Sequence, residues 1–386
     1  MKKNIAIFGS TGSIGRQALE VIDAYPDRYK AEVLTAHNNA RLLIEQALKY
    51  QPNVVVIGNE DKYEEVFNTL DRHHIKVYAG ADAYSQVMAM ENIDLVLMAI
   101  VGFAGLKPTI AAIEEKKSLA LANKESLVIA GNIISEKAIK NQVQIIPVDS
   151  ELSAIFQCLV GEFGNSIDRI TLTASGGPFR GFDIEQLKQV TINDALKHPN
   201  WNMGNKVTVD SATLMNKGFE AIEAKWLFGL SPGQIKVVVH PQSIVHSMVH
   251  FADGSVKSLM SNADMRIPIQ YAFTYPDRLP GPPDQLDLIK VKSLSFEEPD
   301  VKNFRNLALA FKALEIGGNL PCTLNAANEL GVQAFLQSRI SFLQISALVE
   351  DCLNKVQFVK EPSLDDLLKT DRDTRQKANE YINAID

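Results

Sequence analysis

The chain has 386 residues, which is more than one hydrophobic core usually holds, so its length predicts two or three domains. Apolar residues make up 46% of the sequence and support packed cores, while 46 acidic and 39 basic residues give a net charge of -7. This charge excludes a general electrostatic attraction to nucleic acid or to anionic membranes, so we expect neither as a partner.

Strand and helix patterns alternate through the first part of the chain. Helical spacing predicts a helix over residues 13–24, and continuous apolar runs predict strands at residues 4–9, 32–36, 54–57, 95–100, 119–122 and 143–148. Buried strands separated by helices are typical of a parallel sheet covered on both faces. Residues 1–149 are therefore predicted to form a doubly wound, Rossmann-like α/β domain.

The pattern changes after residue 149. Loops rich in Gly, Pro and Asn separate β-like runs at residues 236–240 and 243–251, which predicts an α+β domain over residues 150–274. Residues 275–300 are rich in proline and are predicted to be a linker arm. Helical spacing then predicts a small C-terminal bundle over residues 301–386, with helices at residues 304–316, 324–337, 342–356 and 364–384.

The start of the sequence and its cysteines bear on location. The first predicted strand begins at residue 4, so we expect no signal or transit peptide. The longest uncharged apolar run, residues 95–106, is shorter than the about 20 residues that span a bilayer. Cys158, Cys322 and Cys352 lie in apolar helical patterns without CxxC spacing, so we expect neither disulfides nor zinc. Together these features predict a soluble protein of a reducing cytoplasm.

The first predicted strand ends in a glycine-rich turn, G-S-T-G-S-I-G at residues 9–15. Glycines let the backbone approach a phosphate, and the following helix N-terminus offers unpaired N–H groups. Such turns also occur for steric reasons alone, but the position at the first strand of an α/β pattern favours a dinucleotide. Residues 35–39, after the second strand, contain no carboxylate for a ribose 2′-hydroxyl, so NADPH is favoured over NADH.

Two further segments carry carboxylates. Asp149 and Glu151 follow a predicted strand and point the same way if the extended backbone continues, as two ligands of Mg²⁺ or Mn²⁺ would. Taken alone, the alternative of a solvated loop or a helix start is favoured there. In the second segment, Asn216, Lys217 and Glu220 share roughly one side of a helix, and a surface ion pair is the simple alternative.

A glycine and two loops add to this picture. Gly218 inside a helix costs about 1 kcal/mol relative to Ala, which suggests that something approaches the backbone closely. Residues 175–178, S-G-G-P, predict either an anion-binding nest or a simple turn. Residues 198–204 combine Trp and Met with Pro, Asn and Gly, as in a loop that closes over a substrate. The remaining candidates, His240, His246 and His250, lack metal-site spacing and are interpreted as structural.

Eight motifs together resemble the 1-deoxy-D-xylulose 5-phosphate reductoisomerase family, in order and over nearly the whole chain. Unrelated Rossmann dehydrogenases share only the first of them. The motifs are GSTGSIG at 9–15, LANKES at 121–126, VDSELSAIFQ at 148–157, TASGGPFR at 173–180, HPNWNMG at 198–204, VDSATLMNKGFEAIEA at 209–224, HPQSIVHSMV at 240–249 and NAANE at 325–329.

The resemblance implies a reaction of the non-mevalonate route to isoprenoids. 1-Deoxy-D-xylulose 5-phosphate is rearranged to an aldehyde, 2-C-methyl-D-erythrose 4-phosphate, which is reduced by hydride from NADPH to 2-C-methyl-D-erythritol 4-phosphate. The resemblance also implies one Mg²⁺ or Mn²⁺ per subunit, which polarises the substrate carbonyl, and a homodimer. The physiological metal stays open, as does the choice between a concerted shift and a retro-aldol and aldol route.

Carried over residue by residue, the resemblance implies three sets of contacts. The metal ligands are Asp149, Glu151 and Glu220. The phosphate contacts are Ser175, Ser211, Asn216 and Lys217. The other substrate contacts are Lys124, Ser150, His198, Glu151 and Glu220. The catalytic set consists of Lys124, His198 and the three metal ligands. The NADPH contacts are Thr11, Gly12, Ser13, Ile14, His37, Asn38, Asn39, Asn123, Glu125 and Gly204, and Trp201 is the implied lid residue.

The sequence departs from the family after the second strand. Many members have Gly-Lys-Asn or Gly-Arg-Asn where this chain has His37-Asn38-Asn39, so a permanent cation is lost at the 2′-phosphate. Arg41 or a protonated His37 are the available substitutes. We therefore expect a weaker preference for NADPH than the resemblance implies.

Two alternatives belong to other classes. Another NADP-linked dehydrogenase of a small phosphorylated carbonyl substrate would share the fold, but it would need a catalytic Cys or a Lys-Asp arrangement. No cysteine of this sequence sits in a polar turn. A non-catalytic nucleotide sensor would need an effector or DNA surface, and the sequence offers neither a basic helix nor net positive charge.

Overall fold

A computed structural model describes residues 2–201, 203–282 and 284–385 of the chain. Asn202 of the predicted substrate-closing loop and Pro283 of the predicted arm lie outside the described residues, as do the two terminal residues. The described residues form two compact units, and each is discontinuous in sequence. The first unit contains residues from 1–126, 134–153 and 264–283, and the second contains residues from 127–133, 154–263 and 284–386.

A seven-stranded parallel sheet forms the centre of the first unit, in the order β4-β3-β2-β1-β5-β6-β7. Its strands are β1 (Lys3–Phe8), β2 (Tyr29–Ala36), β3 (Val54–Ile57), β4 (Lys76–Ala79), β5 (Leu95–Met98), β6 (Ser118–Leu121) and β7 (Ile145–Pro147). The predicted doubly wound sheet is confirmed. The strand order reverses between β1 and β5, and such folds bind dinucleotides at the carboxyl ends of the strands beside this point.

Strand β4 is the one strand of this sheet that the sequence analysis missed. It lies at the sheet edge, and Lys76 and Tyr78 are exposed while Val77 is buried. Its short sequence therefore alternates, whereas its neighbour β3 is apolar throughout. A search for continuous apolar runs passes over such an edge strand.

Helices connect these strands and continue through the chain. The first seven are α1 (Ser13–Ala24), α2 (Ala40–Tyr50), α3 (Tyr63–Leu70), α4 (Ala83–Gln86), α5 (Leu106–Glu114), α6 (Lys124–Asn141) and α7 (Ser150–Leu159). The predicted bounds of α1 are confirmed. Its buried residues, Ala18, Leu19 and Ile22 among them, recur at helical spacing and form one face.

The second unit contains a mixed four-stranded sheet in the order β11-β10-β8-β9. Strands β8 and β9 are parallel, whereas β10 runs antiparallel to both β8 and β11. The strands are β8 (Ile167–Ala174), β9 (Ile235–Val239), β10 (Val245–Phe251) and β11 (Val256–Met260), and the helices of this region are α8 (Ile184–Leu187), α9 (Ile192–Ala195), α10 (Asn205–Ala212) and α11 (Met215–Phe228). Helix α11 packs against β8 and β9.

The last part of the chain is helical. Helix α12 (Arg266–Thr274) packs on α1 in the first unit, and the remaining helices are α13 (Leu288–Val291), α14 (Arg305–Ile316), α15 (Leu320–Leu336), α16 (Phe342–Lys355) and α17 (Leu364–Ile385). The four helices predicted for the C-terminal bundle are confirmed as α14 to α17. Helix α15 begins at Leu320, earlier than predicted. Pro321 fits into its first turn, because the backbone N–H that proline lacks would have no helical partner there.

Two observations concern the predicted linker arm and the membrane. Within residues 275–300 lies α13, and Glu297 pairs with Val239 at the end of β9. The domain limits at residues 149, 274 and 300 stay predictions. Among the described residues, no helix has the length and apolar character to cross a membrane.

Candidate active site

The turn between β1 and α1 has a shape that only glycine permits. Gly9 has φ of +87°, and a Cβ there would lie 2.7 Å from the carbonyl oxygen of Ala99. A Cβ on Gly15 would collide with the Gly9 carbonyl. Gly12 is the N-cap of α1 and has no side chain to occupy the helix N–H groups. The turn therefore has the geometry of a phosphate cradle, and it contains Thr11, Gly12, Ser13 and Ile14, which stay predicted NADPH contacts.

The segment after β2 contains the residues that depart from the family. His37, Asn38 and Asn39 are all exposed. The side chain of Asn39 accepts a hydrogen bond of 3.1 Å from the Leu42 N–H and caps α2. Asn38 accepts one of 3.1 Å from the Asn59 side-chain amide, which holds the Asn38 carbonyl oxygen and leaves its NH₂ group as the donor for a phosphate.

Arg41, the suspected substitute cation, has a partner on its own helix. Its Nε donates to Glu45 at 3.1 Å, and the two side chains are 89% and 56% exposed. Pairs of this kind contribute only about 0.3–0.5 kcal/mol. The pair is weak enough for a 2′-phosphate to compete for the guanidinium.

The loops after β6 and β7 bring a lysine and a carboxylate together. Lys124, at the start of α6, forms an ion pair with Asp149, and both side chains are 11% exposed. Ser150 and Glu151 begin α7, and the Ser150 hydroxyl donates to the Glu151 carboxylate at 2.5 Å. The extended backbone on which a shared direction of Asp149 and Glu151 is conditional does not continue here, and the helix start, one of the two alternatives favoured for this segment alone, is observed.

Asn123 and Glu125 lie beside this pair and have internal roles. The Asn123 amide donates to the carbonyl oxygens of Ile100 at 2.7 Å and Gly102 at 3.0 Å, while its own oxygen accepts from the Ser126 N–H at 3.0 Å. The same amide donates to Glu125 at 3.1 Å. Asn123 thus joins the loop after β5 to the start of α6. These bonds position the backbone on which any NADPH contact would depend.

In the second unit, His198 joins two serines. Its Nε2 lies 2.9 Å from Ser175 Oγ and 3.2 Å from Ser211 Oγ. Its Nδ1 accepts hydrogen bonds from the N–H groups of Asn200 at 3.2 Å and Trp201 at 3.0 Å. An acceptor at Nδ1 places the proton of a neutral imidazole on Nε2.

This tautomer sets the direction of both hydroxyl groups. The N–H at His198 Nε2 donates to Ser175 and Ser211, and the Gly177 N–H also donates to Ser175 Oγ, at 3.2 Å. A hydroxyl that accepts hydrogen bonds from the protein keeps its own hydrogen for another acceptor. Both serines are therefore oriented as donors, which is the polarity that a phosphate requires.

Helix α11 carries the third group of predicted contacts. Lys217 and Asn216 donate to the two oxygens of Glu220, each at 2.6 Å. The side chains of Lys217 and Glu220 are 5% and 0% exposed. The alternative of a surface ion pair is therefore wrong, because this pair is buried. Burial of two charges is costly unless each is balanced, and here the Lys217 ammonium and the Glu220 carboxylate balance each other.

The cause of the glycine in α11 is a neighbouring helix. A Cβ on Gly218 would collide with the Cβ of Ala310 in α14. The expected close approach is confirmed, and the approaching group is protein. Gly218 lets α11 pack tightly on the C-terminal bundle, which fixes Lys217 and Glu220 on either side of it.

The loop over residues 198–204 is anchored along the segment between β9 and β10. The Asn200 side chain donates to the Pro241 carbonyl at 2.7 Å and to Ser243 Oγ at 2.8 Å. The ring of Trp201 lies 6.2 Å from that of His246. The loop ends at Gly204, the N-cap of α10. Sequence reasoning missed Asn200, whose side chain ties the loop to its support.

The histidines interpreted as structural each hydrogen bond to protein atoms. His250 Nε2 lies 2.9 Å from Thr171 Oγ1, and burial, with Arg169 nearby, lowers the pKa of His250. His240 Nδ1 lies 2.8 Å from the Ser295 carbonyl, and His246 Nε2 lies 2.8 Å from Ser261 Oγ. These bonds hold the second sheet and its loops together.

Family models cover most of the chain. The one described as 1-deoxy-D-xylulose 5-phosphate reductoisomerase matches residues 5–131, and the one described as the C-terminal domain of that enzyme matches residues 145–228. A model described as the DXP reductoisomerase C-terminal domain matches residues 260–377.

Curated relatives have high identity over their full lengths. The 1-deoxy-D-xylulose 5-phosphate reductoisomerase of Bacteroides thetaiotaomicron is 58% identical over 381 residues, which are 99% of this chain and 98% of that protein. The enzyme of Phocaeicola vulgatus is 56% identical over 384 residues, which are 100% of both chains.

Solved structures of such enzymes share the fold. A DOX-P reductoisomerase in complex with NADPH, fosmidomycin and magnesium has a TM-score of 0.94 and 36% identity, covering 99% of this chain and 98% of its own. The Zymomonas mobilis enzyme in complex with NADPH has a TM-score of 0.92 and 39% identity, covering 99% of both chains.

Proposed function

Because this chain belongs to the 1-deoxy-D-xylulose 5-phosphate reductoisomerase family, it is an NADPH- and magnesium-dependent enzyme, and we propose that the residues described above form its active site. It converts 1-deoxy-D-xylulose 5-phosphate to 2-C-methyl-D-erythritol 4-phosphate in the non-mevalonate route to isoprenoids. The observation that best supports the site is the imidazole of His198 between Ser175 and Ser211, because it orients two hydroxyl donors for a phosphate.

We propose that the nucleotide binds at the carboxyl ends of the first unit's parallel strands. The cradle at residues 9–15 would hold the pyrophosphate against the N-terminus of α1. The segment of His37, Asn38 and Asn39, after β2, would receive the ribose 2′-phosphate. Asn123, Glu125 and Gly204 complete the proposed set. When bound, NADPH supplies the hydride of the reduction.

We propose that Asp149, Glu151 and Glu220 bind one divalent cation per subunit, either Mg²⁺ or Mn²⁺. All three offer carboxylate oxygens, the donors that these hard cations prefer. When bound, such a cation polarises a substrate carbonyl as a Lewis acid. Asp149 is paired with Lys124 and Glu220 with Lys217, so the protein already balances the charge of these two carboxylates.

Substrate binding is proposed to divide among side chains of different polarity. Ser175, Ser211, Asn216 and Lys217 would hold the phosphate through hydroxyl, amide and ammonium donors. The other proposed substrate contacts are Lys124, Ser150, Glu151, His198 and Glu220. The loop with Trp201 would exclude water, because the aldehyde intermediate must stay bound until it is reduced.

The function is tested by assaying the purified protein for NADPH oxidation. We expect oxidation that requires both 1-deoxy-D-xylulose 5-phosphate and Mg²⁺, and that stops on addition of a chelator and returns with Mg²⁺ or Mn²⁺. NADPH oxidation with other small phosphorylated carbonyl compounds, but not with this substrate, would favour the alternative dehydrogenase. The buried thiols argue against that alternative, since burial raises the pKa of Cys352 to about 12 and also raises that of Cys322.

The Asn38→Lys variant should prefer NADPH over NADH more strongly than the wild type does. The new ammonium adds a charge-assisted contact to the 2′-phosphate, which is worth about 1.5–3 kcal/mol or roughly 10- to 150-fold in the ratio of kcat/KM values.

The matched control for this ratio is Arg41→Ala, which removes the other nearby cation. If His37 and the Asn38 amide bind the 2′-phosphate, the Arg41 variant should keep the wild-type ratio within about twofold, as expected for a weak exposed charge. A large wild-type ratio that falls in the Arg41 variant would assign the role to Arg41.

The remaining proposals concern assembly and location. We propose a homodimer in the cytoplasm, and edge strand β11 supports self-association because Val256 and Met260 on it are 48% and 41% exposed. Sedimentation analysis would measure the mass of the protein in solution and distinguish a dimer from a monomer. We also propose a division into an NADPH-binding domain over residues 1–149, a catalytic and dimerisation domain over residues 150–274, an arm over residues 275–300 and a helical domain over residues 301–386.

A further inference from the structure

The NAANE motif at residues 325–329 has no role in the site proposed above. It lies in α15, in the C-terminal bundle, and Asn325 and Asn328 are both 0% exposed. Two buried amides in one helix turn are costly unless they hydrogen bond, so their partners indicate what the motif does.

The first half of the motif holds the bundle together. Asn325 donates to Glu329 at 3.1 Å, and Arg375 in α17 donates to the other oxygen of Glu329 at 2.5 Å. Arg375 also donates to Asp371 at 2.8 Å. These bonds join α15 to α17, and they involve no residue of the proposed site.

The second half reaches a different helix. The Asn328 amide donates to Oδ1 of Asp210 in α10 at 2.7 Å, and Asp210 is 1% exposed. Oδ2 of Asp210 accepts from Lys206 at 2.9 Å, and the Lys206 ammonium lies 4.9 Å from the ring centre of Phe219 in α11. Asp210 thus connects α15 with both ends of α10.

Helix α10 depends on such contacts for its position. It has eight residues, three of them the β-branched Val207, Thr208 and Val209, so it is too short and too rich in β-branched residues to be stable alone. It begins directly after the loop at residues 198–204, and Asp210 precedes Ser211. A shift of α10 would move the Ser211 hydroxyl away from His198.

We propose that Asn328 is a positioning residue for the substrate phosphate, because its hydrogen bond to Asp210 fixes α10, and with it Ser211, on the C-terminal bundle. This inference rests on the proposed function, in which Ser211 contacts the phosphate. It assigns the NAANE motif a double role: Asn325 and Glu329 secure α15 in the bundle, and Asn328 extends that support to the active site.

The test compares steady-state kinetics of Asn328→Ala with those of the matched control Asn325→Ala. Asn328→Ala should raise the KM for 1-deoxy-D-xylulose 5-phosphate about tenfold, a size typical of coupling through one supporting contact, and should leave the KM for NADPH and kcat within about twofold. Asn325→Ala should lower the melting temperature without raising either KM. Asn328→Ser replaces the alanine variant if that protein does not fold.

An exchange of the two partners adds a rescue experiment. Asn328→Asp alone places two carboxylates together and should raise the substrate KM more than alanine does. The double variant Asp210→Asn with Asn328→Asp restores an amide and carboxylate pair in the opposite direction, but it removes the anionic partner of Lys206, so it should recover only part of the loss. An unchanged substrate KM in Asn328→Ala, or equal KM changes in Asn325→Ala, would overturn the proposal.

Ser211→Ala separates this inference from the proposed function. A raised substrate KM in Ser211→Ala beside an unchanged one in Asn328→Ala would overturn the inference alone. An unchanged substrate KM in Ser211→Ala would remove Ser211 from the phosphate site, and the inference would fall with it.

Discussion

Changing Asp149 to Asn, or Glu151 or Glu220 to Gln, should lower kcat by at least about a thousandfold and leave the dissociation constant of NADPH within about twofold. Each exchange keeps the shape of the side chain but replaces an anionic oxygen ligand with a neutral amide. Hard divalent cations bind a neutral amide oxygen less tightly than an anionic carboxylate oxygen. The nucleotide cradle contains none of the three residues, so NADPH binding should persist.

Binding of Mn²⁺, followed by its electron paramagnetic resonance, measures the metal affinity separately from turnover. All three variants should bind Mn²⁺ more weakly than the wild type. If a variant keeps near wild-type turnover at low metal concentration, the residue that it replaces is not a metal ligand.

Glu32→Gln is the matched control for these variants. Glu32 is a fully buried carboxylate in β2 that pairs with Lys30 at 2.8 Å, but it is no part of the proposed site. Its amide variant shows what a buried, lysine-paired carboxylate contributes to stability alone. We expect a lower melting temperature with Mg²⁺-dependent turnover retained.

The Lys217→Ala variant should bind 1-deoxy-D-xylulose 5-phosphate about 1.5–3 kcal/mol more weakly, or roughly 10- to 150-fold, with NADPH binding unchanged. The ammonium is the one permanent cation among the proposed phosphate contacts, so its loss removes a charge-assisted hydrogen bond. Calorimetric titrations with substrate and with NADPH measure the two affinities. Equal losses for both ligands would contradict the assignment.

The partner of Lys217 requires its own control. Alanine at this position leaves the buried Glu220 carboxylate without its ammonium, so metal binding has to be measured in the same variant. Lys225→Ala, in the same helix, removes a half-buried lysine whose pKa is lowered by desolvation. This control should leave the substrate affinity unchanged. A loss of affinity in it would come from altered packing of α11 and not from the loss of a phosphate contact.

Much of the fold follows from local patterns that the sequence displays directly. Apolar runs predicted six strands of the parallel sheet, and helical spacing predicted α1 and α14 to α17, because period and burial are set by the few residues on either side. The edge strand β4 was not predicted, since a half-exposed strand lacks a continuous apolar run. The family motifs gave the reaction, because their order and spacing are specific to one enzyme.

The setting of the candidate residues is decided by tertiary structure. Lys217 and Glu220 have the spacing of a surface ion pair, and only the packing around α11 buries them. Gly218 predicted a close approach to the backbone of α11. The residue that approaches it, Ala310, is distant in the sequence and could not be named from it. Two serines and a histidine in separate segments become one hydrogen-bonded group only when β8, the loop at residues 198–204 and α10 meet.

The bond between Asn328 and Asp210 shows the same limit most clearly, since its partners are 118 positions apart. Neither residue is unusual within its own helix. Sequence periodicity shows that a helix forms and which face is apolar, but not which polar group of a distant helix will meet a buried amide. That pairing depends on how the helices pack, because a buried polar group must find a partner where packing places one. The sequence by itself thus determined the elements and the chemistry, and the tertiary structure decided the supports that hold them.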